Sequence, residues 1–148
     1  MWGHMHRWFT AAPTTPKAAR QCISEWLHRL GWTGPEHDDV VLAVSEAITN
    51  AVEHAYPEGY PGVVTIDAAT LAGPDGAQRI HLTVTDQGSW RDPGDGPVSV
   101  GSVPLRGRGL TMIRATMACL RLDTNASGTR LTMVSRAVKP RTHTRPSM

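Results

Sequence analysis

VVLAVSEAITNAVEHAY, residues 40–56, is the stretch that decides the fold. Its apolar residues recur every three or four positions, which is the spacing of one buried stripe on an amphipathic helix. Glu46, Asn50 and His54 follow one another at intervals of four, so they share a second face of that helix. A carboxylate, an amide and an imidazole in one row suggest a lined pocket. A solvated polar face is the simpler explanation while the helix is taken alone.

Length and composition indicate a soluble globular chain of one domain. Of the 148 residues, 40% are hydrophobic and 19% are charged, which is enough apolar material for a buried core. A net charge of +2 is too small to indicate direct binding of nucleic acid. No apolar run approaches the roughly 18 residues that cross a membrane, and the N-terminus lacks the apolar core of a signal peptide. We therefore expect a cytoplasmic protein without a membrane partner.

The region before the opening stretch predicts a short N-terminal segment, residues 1–15, and one further helix. Within that segment, residues 6–10 have the pattern of an edge strand. Thr15 followed by Pro16 predicts a hydroxyl cap and a helix start, and Gly31 predicts the stop. His4 and His6 alternate as metal ligands can, but a mobile terminus is the simpler interpretation because no carboxylate lies nearby in the sequence. The cysteines at 22 and 119 fall on apolar helical stripes and are expected to be reduced core residues.

The region after the opening stretch predicts two hairpins separated by a loop and a helix. The strands cover residues 63–71 and 79–85, then 120–124 and 129–136, with turn residues between the members of each pair. Residues 89–106 have no period and are rich in Gly, Pro, Asp and Ser, which is typical of a lid or binding loop.

The order of these elements predicts an α+β fold, a two-layer sandwich in which helices cover one face of a largely antiparallel mixed sheet. We expect the domain to occupy residues 16–136. A basic, proline-containing tail follows at 137–148 and is expected to be disordered.

Two glycine-containing turns stand at the ends of predicted elements. Asp86 and Gly88 follow a strand, and Gly107 and Gly109 open a helix. Each turn alone reads as an ordinary turn or hinge. In combination, Asp86 can accept a hydrogen bond from an exocyclic amino group while Gly88 leaves room for a flat base. The amides of Gly107 and Gly109 can bind phosphate at the helix N-terminus.

The polar row of the opening helix supplies the remaining chemistry for a nucleotide. Asn50 offers a neutral oxygen to a magnesium ion, which prefers oxygen ligands. Glu46, one helical turn away, is placed to take a proton. The missing ligand of the polar row is therefore predicted to be a nucleotide.

Three boxes in this order resemble a known family. SEAITNAVEHAY (45–56), TDQGSW (85–90) and GRGLTMI (107–113) are similar to the N box and the two glycine boxes of the GHKL ATPases, which have the Bergerat fold. Within that superfamily the chain, over roughly residues 6–136, is most similar to the anti-sigma-factor serine/threonine kinases of bacterial partner-switching systems. The resemblance implies ATP and Mg2+ bound between the N-box helix and the sheet, under a mobile lid at 89–106.

The resemblance also implies individual roles. Glu46 would be the general base that activates a serine or threonine hydroxyl on a partner, Asn50 would ligate Mg2+, and Asp86 would read the adenine amino group. Thr129 resembles the strand threonine that helps to hold adenine. The other implied contacts, to base, phosphate, pocket wall or partner, are Gly88, Gly107, Arg108, Gly109 and His54.

The implied function is that of an ATP-dependent serine/threonine protein kinase. It would phosphorylate a STAS-type anti-sigma-factor antagonist and sequester a sigma factor, and homodimerisation is left open. A non-catalytic ATP-dependent binding switch remains an alternative, because the loop at 89–106 contains no lysine to clamp a γ-phosphate. The detached catalytic domain of a histidine kinase is a weaker alternative, since no dimerisation helix with a phospho-accepting histidine is evident.

Overall fold

A computed structural model describes residues 3–55, 62–87, 107–125 and 128–140, without the side chains of 54, 55, 107–110 and 125. The predicted lid at 89–106 and the end of the predicted tail therefore lie outside the described residues. Five strands and three α-helices follow one another in these ranges, together with a π-helical turn, Ala51–Ala55, and a 3-10 turn, Pro74–Gly76. In chain order the elements are β1 (His4–Thr10), α1 (Thr15–Arg29), α2 (Pro35–Asn50), β2 (Val63–Ala72), β3 (Gln78–Asp86), α3 (Gly107–Thr116), β4 (Cys119–Asn125) and β5 (Gly128–Val134).

The five strands form one sheet in the order β1-β2-β3-β5-β4. Every neighbouring pair among these described strands is antiparallel, so the mixed pairing that was expected does not occur in this part of the sheet. The predicted edge strand is confirmed as β1, and both predicted hairpins are present. Because β5 pairs with β3 as well as with β4, the second hairpin joins the first along β3.

Alternation along the strands assigns the two faces of the sheet. Ile80, Leu82 and Val84 of β3 are buried, whereas His81 and Thr83 between them are only half-buried. Successive side chains of a strand point to opposite faces, so the buried set faces the helices and the other set faces away. The prediction that helices cover one face is confirmed, and His81 lies on the opposite face.

The helices form a layer in which α2 is central. Helix α1 packs against α2 and β1, while α3 packs against α2 and β4. Helix α2 also contacts β3, the middle strand of the sheet. The apolar stripe predicted from the opening stretch is buried in this layer, and it includes Val40, Val44, Ala47, Ile48 and Ala51.

Helix α1 ends as predicted, at a glycine in the left-handed region. Gly31 has φ +87°. Its amide donates to the His28 carbonyl at 3.0 Å, and the Trp32 amide donates to the Leu27 carbonyl at 2.9 Å. This pair of bonds is a Schellman motif, and Trp32 and Leu27, which stand at the positions of its usual apolar contact, are both fully buried. Trp32 is thus part of the core.

Three local expectations are corrected by the structure. Thr14, not Thr15, stands at the N-cap of α1 and makes no side-chain capping bond. The Thr15 hydroxyl instead donates to the Thr10 carbonyl and accepts from the Ala12 amide, which ties the β1–α1 connection together. Cys119 is an exposed residue of β4 and not part of a helical stripe. Val138, placed in the disordered tail, pairs with Gln78 through two backbone hydrogen bonds.

Two further findings concern metals and membranes. His6 is paired with Asp67, its partner across β2, so the carboxylate missing from the sequence neighbourhood comes from the sheet. Across the described ranges, however, no group of three or more His, Cys, Asp and Glu side chains is arranged to hold a metal ion. None of the described helices has the length and apolar character required to span a membrane.

Candidate functional site

The sheet brings Asp86 and Thr129 together. Asp86 is the last residue of β3, Thr129 is the second residue of β5, and they are direct partners in the antiparallel register. Directly opposed residues of such a pair have Cβ atoms about 4.5–5.5 Å apart, so their side chains are neighbours on one face. Each residue is only 3% exposed. The predicted base-reading residues therefore lie side by side on the helix-facing side of the sheet.

Thr129, one member of this pair, carries a buried polar atom without a hydrogen-bond partner in the described part of the chain. The Thr129 Oγ1 atom is inaccessible to solvent and forms no hydrogen bond with any described residue. A buried hydroxyl without a partner costs roughly 1–3 kcal/mol relative to a satisfied one. Natural folds retain such an atom where a ligand or water satisfies it, and a planar base with donors and acceptors on its edge is a suitable partner.

The second group of predicted residues lies on α2. The helix is regular through Asn50, so Glu46 and Asn50 are one turn apart on one face, as the sequence predicted. Glu46 is half-buried, and no described residue forms a hydrogen bond or an ion pair with its carboxylate. Its oxygens therefore have no competing partner there when a proton is to be accepted. This geometry suits a general base.

Asn50 carries a second unsatisfied buried atom. The residue is 8% exposed, and its Nδ2 atom has no partner among the described residues. An amide at this depth can hold a ligand from both ends, since Oδ1 can coordinate a hard cation while Nδ2 donates to an anionic oxygen. The donor set of Asn50, Asp86 and Thr129 therefore fits a nucleotide accompanied by Mg2+.

A π-helical turn follows Asn50 directly. It covers Ala51–Ala55, and such turns are rare and frequently found at functional sites. The α-helical period on which the alignment of His54 with Asn50 rested therefore ends at Asn50. The side chain of His54 lies outside the described part, so its predicted place in the pocket stays a prediction.

The second glycine box opens a helix, as expected. Helix α3 begins at Gly107 and includes Gly109, and it packs against α2. The free amides at a helix N-terminus are an anion-binding feature, which is the role predicted for these glycines. Gly88 and the side chain of Arg108 lie outside the described residues, so their predicted roles stay predictions.

Sequence reasoning missed one contact beside Glu46. The Arg20 guanidinium on α1 donates to the hydroxyl of Ser45, which is buried on α2, at 3.0 Å. No local sequence pattern predicts this contact, because it joins residues of two helices that are 25 positions apart in the chain. It places a cation next to the turn of α2 that carries the predicted base.

A family model described as a histidine kinase-like ATPase domain matches residues 9–135. The chain belongs to this family. The match includes all three boxes and both members of the Asp86–Thr129 pair. Membership of an ATPase family implies that the nucleotide is ATP. Binding of a magnesium ion stays a prediction.

Curated relatives narrow the comparison within the family. The chain is 37% identical over 82 residues to the serine-protein kinase RsbW of Bacillus subtilis, an alignment that covers 55% of this chain and 48% of the relative. It is 34% identical over 88 residues to an anti-sigma F factor of Geobacillus stearothermophilus, with coverages of 60% and 57%. The chain thus spans about half the length of the curated relatives it matches.

A solved structure extends the likeness over most of the chain. The crystal structure of the RsbU and RsbW domains of a Mycobacterium tuberculosis protein superposes with a TM-score of 0.69 at 28% identity. The superposition covers 93% of this chain and 33% of that one. The predicted fold class and the predicted family are therefore both confirmed.

Proposed function

We propose that this chain is an ATP-dependent serine/threonine protein kinase of the anti-sigma-factor type. The observation that carries the proposal is the buried Asp86–Thr129 pair with its unsatisfied hydroxyl, in a chain of an ATPase family. The names of its relatives, a serine-protein kinase and an anti-sigma F factor, support the finer assignment.

In this proposal, base recognition takes place at the end of the sheet. The Asp86 carboxylate accepts a hydrogen bond from the adenine amino group, and the Thr129 hydroxyl completes the contact to the base. A hydrogen bond to an ionised acceptor contributes about 1.5–3 kcal/mol, which is sufficient to select adenine over a base without the amino group. The phosphates extend towards the N-terminus of α3, where the amides of Gly107 and Gly109 meet them.

The chemical step in this proposal uses α2. Glu46 accepts the proton of a partner's serine or threonine hydroxyl as the hydroxyl oxygen forms a bond to the γ-phosphorus. The bond from that phosphorus to the bridging β,γ-oxygen breaks, and ADP leaves with the electron pair. Asn50 is the residue that would hold Mg2+, which when bound neutralises charge on the phosphate oxygens.

The proposed acceptor is a STAS-type anti-sigma-factor antagonist, and the proposed second partner is a sigma factor. Affinity capture on the immobilised chain, with and without ATP and Mg2+, identifies the partners. Each captured protein is then incubated with γ-labelled ATP and the chain. We expect label on a serine or threonine of one captured protein. Tight ATP binding and partner capture without transfer to any captured protein would instead assign the chain as a non-catalytic binding switch.

The role of Glu46 is tested in the same assay. Replacing the base should lower the transfer rate roughly 10²- to 10⁴-fold, since this is the usual contribution of general base catalysis. We expect Glu46→Gln to show this loss while it binds ATP like the wild type. Glu36→Gln is the matched control, a half-buried glutamate in the first turn of the same helix. Transfer by Glu46→Gln at the wild-type rate would remove Glu46 from the mechanism.

A further inference from the structure

We propose that Gly128 is a positioning residue for base recognition. The absence of a side chain at this point lets the chain that leaves β3 pass directly over the start of β5. The arrangement keeps Asp86 and Thr129 in their register and fixes the position of the peptide between Asp86 and Gln87. This inference rests on the proposed function, because it gives Gly128 a part in reading the nucleotide base.

The close approach of two backbones carries the inference. A Cβ atom built on Gly128 would lie 2.0 Å from the Asp86 carbonyl oxygen and 2.8 Å from the Gln87 Cα atom. Both are main-chain atoms, so no side-chain rotation relieves the overlap. Gly128 also has φ +141°, a conformation that residues with a Cβ rarely adopt. The peptide between Asp86 and Gln87 would have to move if Gly128 carried a side chain.

Other glycines with positive φ show that the conformation alone does not impose this contact. Gly76 has φ +77°, and a Cβ built there meets nothing within 4 Å. Gly34 has φ +79°, and the nearest atom to its built Cβ is a side-chain oxygen of Glu36 at 4.0 Å. The requirement at Gly128 is therefore both conformational and steric.

A side chain at position 128 would change the relative position of the base-reading residues Asp86 and Thr129. Asp86 is in register with Thr129, the residue after Gly128, and both side chains face the helix layer. A shift of the Asp86–Gln87 peptide moves the carboxylate relative to the Thr129 hydroxyl. Recognition groups have to be held within about 0.5 Å of their productive geometry. Contacts to phosphate at the start of α3 come from a different element and should be affected less.

The test compares ATP with inosine triphosphate, which has the same phosphates and ribose but no amino group on the base. Wild-type protein should bind ATP at least about tenfold more tightly than inosine triphosphate. For Gly128→Ala we expect this ratio to fall to about one, with the affinity for inosine triphosphate within about threefold of wild type. Gly76→Ala is the matched control, because it adds a methyl group at positive φ without a contact and should keep the wild-type ratio.

A second variant covers the case in which Gly128→Ala does not fold. The double variant combines Gly128→Ala with Gln87→Gly. Glycine at position 87 permits backbone conformations in which the displaced Asp86–Gln87 peptide avoids the new methyl group. This double variant should fold, as judged by circular dichroism, and should also lose the preference for ATP. If neither variant folds, Gly128 is a folding residue and the positioning role is rejected.

The remaining outcomes separate the inference from the proposed function. A wild-type chain that binds neither nucleotide would overturn the proposed function and this inference with it. A wild-type chain that prefers ATP, together with a folded Gly128→Ala variant of equal preference, would overturn the inference alone.

Discussion

At the scale of single residues, the candidate site is defined by polar atoms that the fold buries without satisfying. The Thr129 hydroxyl and the Asn50 side-chain amide nitrogen are both inaccessible and lack partners within the described residues. Each lowers the stability of the ligand-free protein, so each is an expected location of a trade-off between stability and binding.

Replacement of Thr129 by valine should reveal that trade-off. Valine has nearly the shape of threonine, and the change removes a buried hydroxyl that has no partner. We expect the free energy of unfolding in urea to rise by about 1 kcal/mol while ATP binding weakens roughly tenfold. Thr132→Val, on the half-buried outward side of the same strand, is the control and should leave ATP affinity unchanged. A Thr129→Val protein that is less stable and binds ATP normally would contradict the assignment.

At the scale of elements, the sequence predicted what depends on local pattern. The apolar period placed α2, alternation placed the inward sides of β2 and β3, and Gly31 marked the end of α1. The π-helical turn after Asn50 could not be predicted, because the apolar spacing of the sequence continues through it without interruption.

Features that depend on tertiary pairing could not be predicted from the sequence either. Asp86 and Thr129 are 43 positions apart, and nothing local announces that β5 inserts beside β3. The indole nitrogen of Trp32 donates to the Gln78 side chain at 2.7 Å, a contact between residues 46 positions apart in the chain. Gly128 looked like an ordinary turn residue, and only the neighbouring backbone shows why a side chain is excluded there.

The segment after β5 is attached to β3 through the side chain of Ser135. Ser135 is buried, and its hydroxyl accepts a hydrogen bond from the Ile80 amide at 2.8 Å. Ser135→Ala leaves that amide without its partner, so we expect the free energy of unfolding to fall by about 1–3 kcal/mol. ATP affinity should not change, because Ile80 is six residues from Asp86 along β3, or about 20 Å. Urea denaturation and an ATP titration measure both quantities.

A suitable control for this prediction is Thr83→Ala, on the outward side of β3. It should lower the free energy of unfolding less than Ser135→Ala does. A Ser135→Ala protein with wild-type stability would show that the hydroxyl does not secure this segment. Weakened ATP binding in that variant would show that the two ends of β3 are coupled.

In the molecule as a whole, the sheet and the helix layer carry different groups of predicted site residues. The sheet presents the proposed base-reading groups to the helix layer, and α2 carries the predicted proton acceptor and metal ligand between α1 and α3. The opposite face of the sheet has no described helix on it, and its edge exposes Trp8 at 64%. The proposed chemistry is therefore confined to the layer between sheet and helices.

Binding of nucleotide in that layer should stabilise the whole domain. A ligand that binds only the folded state at 100 times its dissociation constant adds about 2.7 kcal/mol to the free energy of unfolding. We expect a concentration-dependent rise in melting temperature with ATP and Mg2+, and a smaller rise with inosine triphosphate at the same concentration. Equal rises with both nucleotides would mean that the base is not read.

A calorimetric titration of the chain with ATP and Mg2+, compared with Asp86→Asn, tests most directly whether Asp86 reads the base of a bound nucleotide. Asparagine keeps the size of the side chain and removes its charge, so the fold should be retained while the strong acceptor is lost. We predict one ATP bound per chain and a roughly 10- to 100-fold weaker affinity in Asp86→Asn. The control Asp123→Asn, which changes a half-buried carboxylate on the edge strand β4, should bind ATP like the wild type. Failure of the wild type to bind ATP, or equal affinity in Asp86→Asn, would contradict recognition of the adenine base by Asp86.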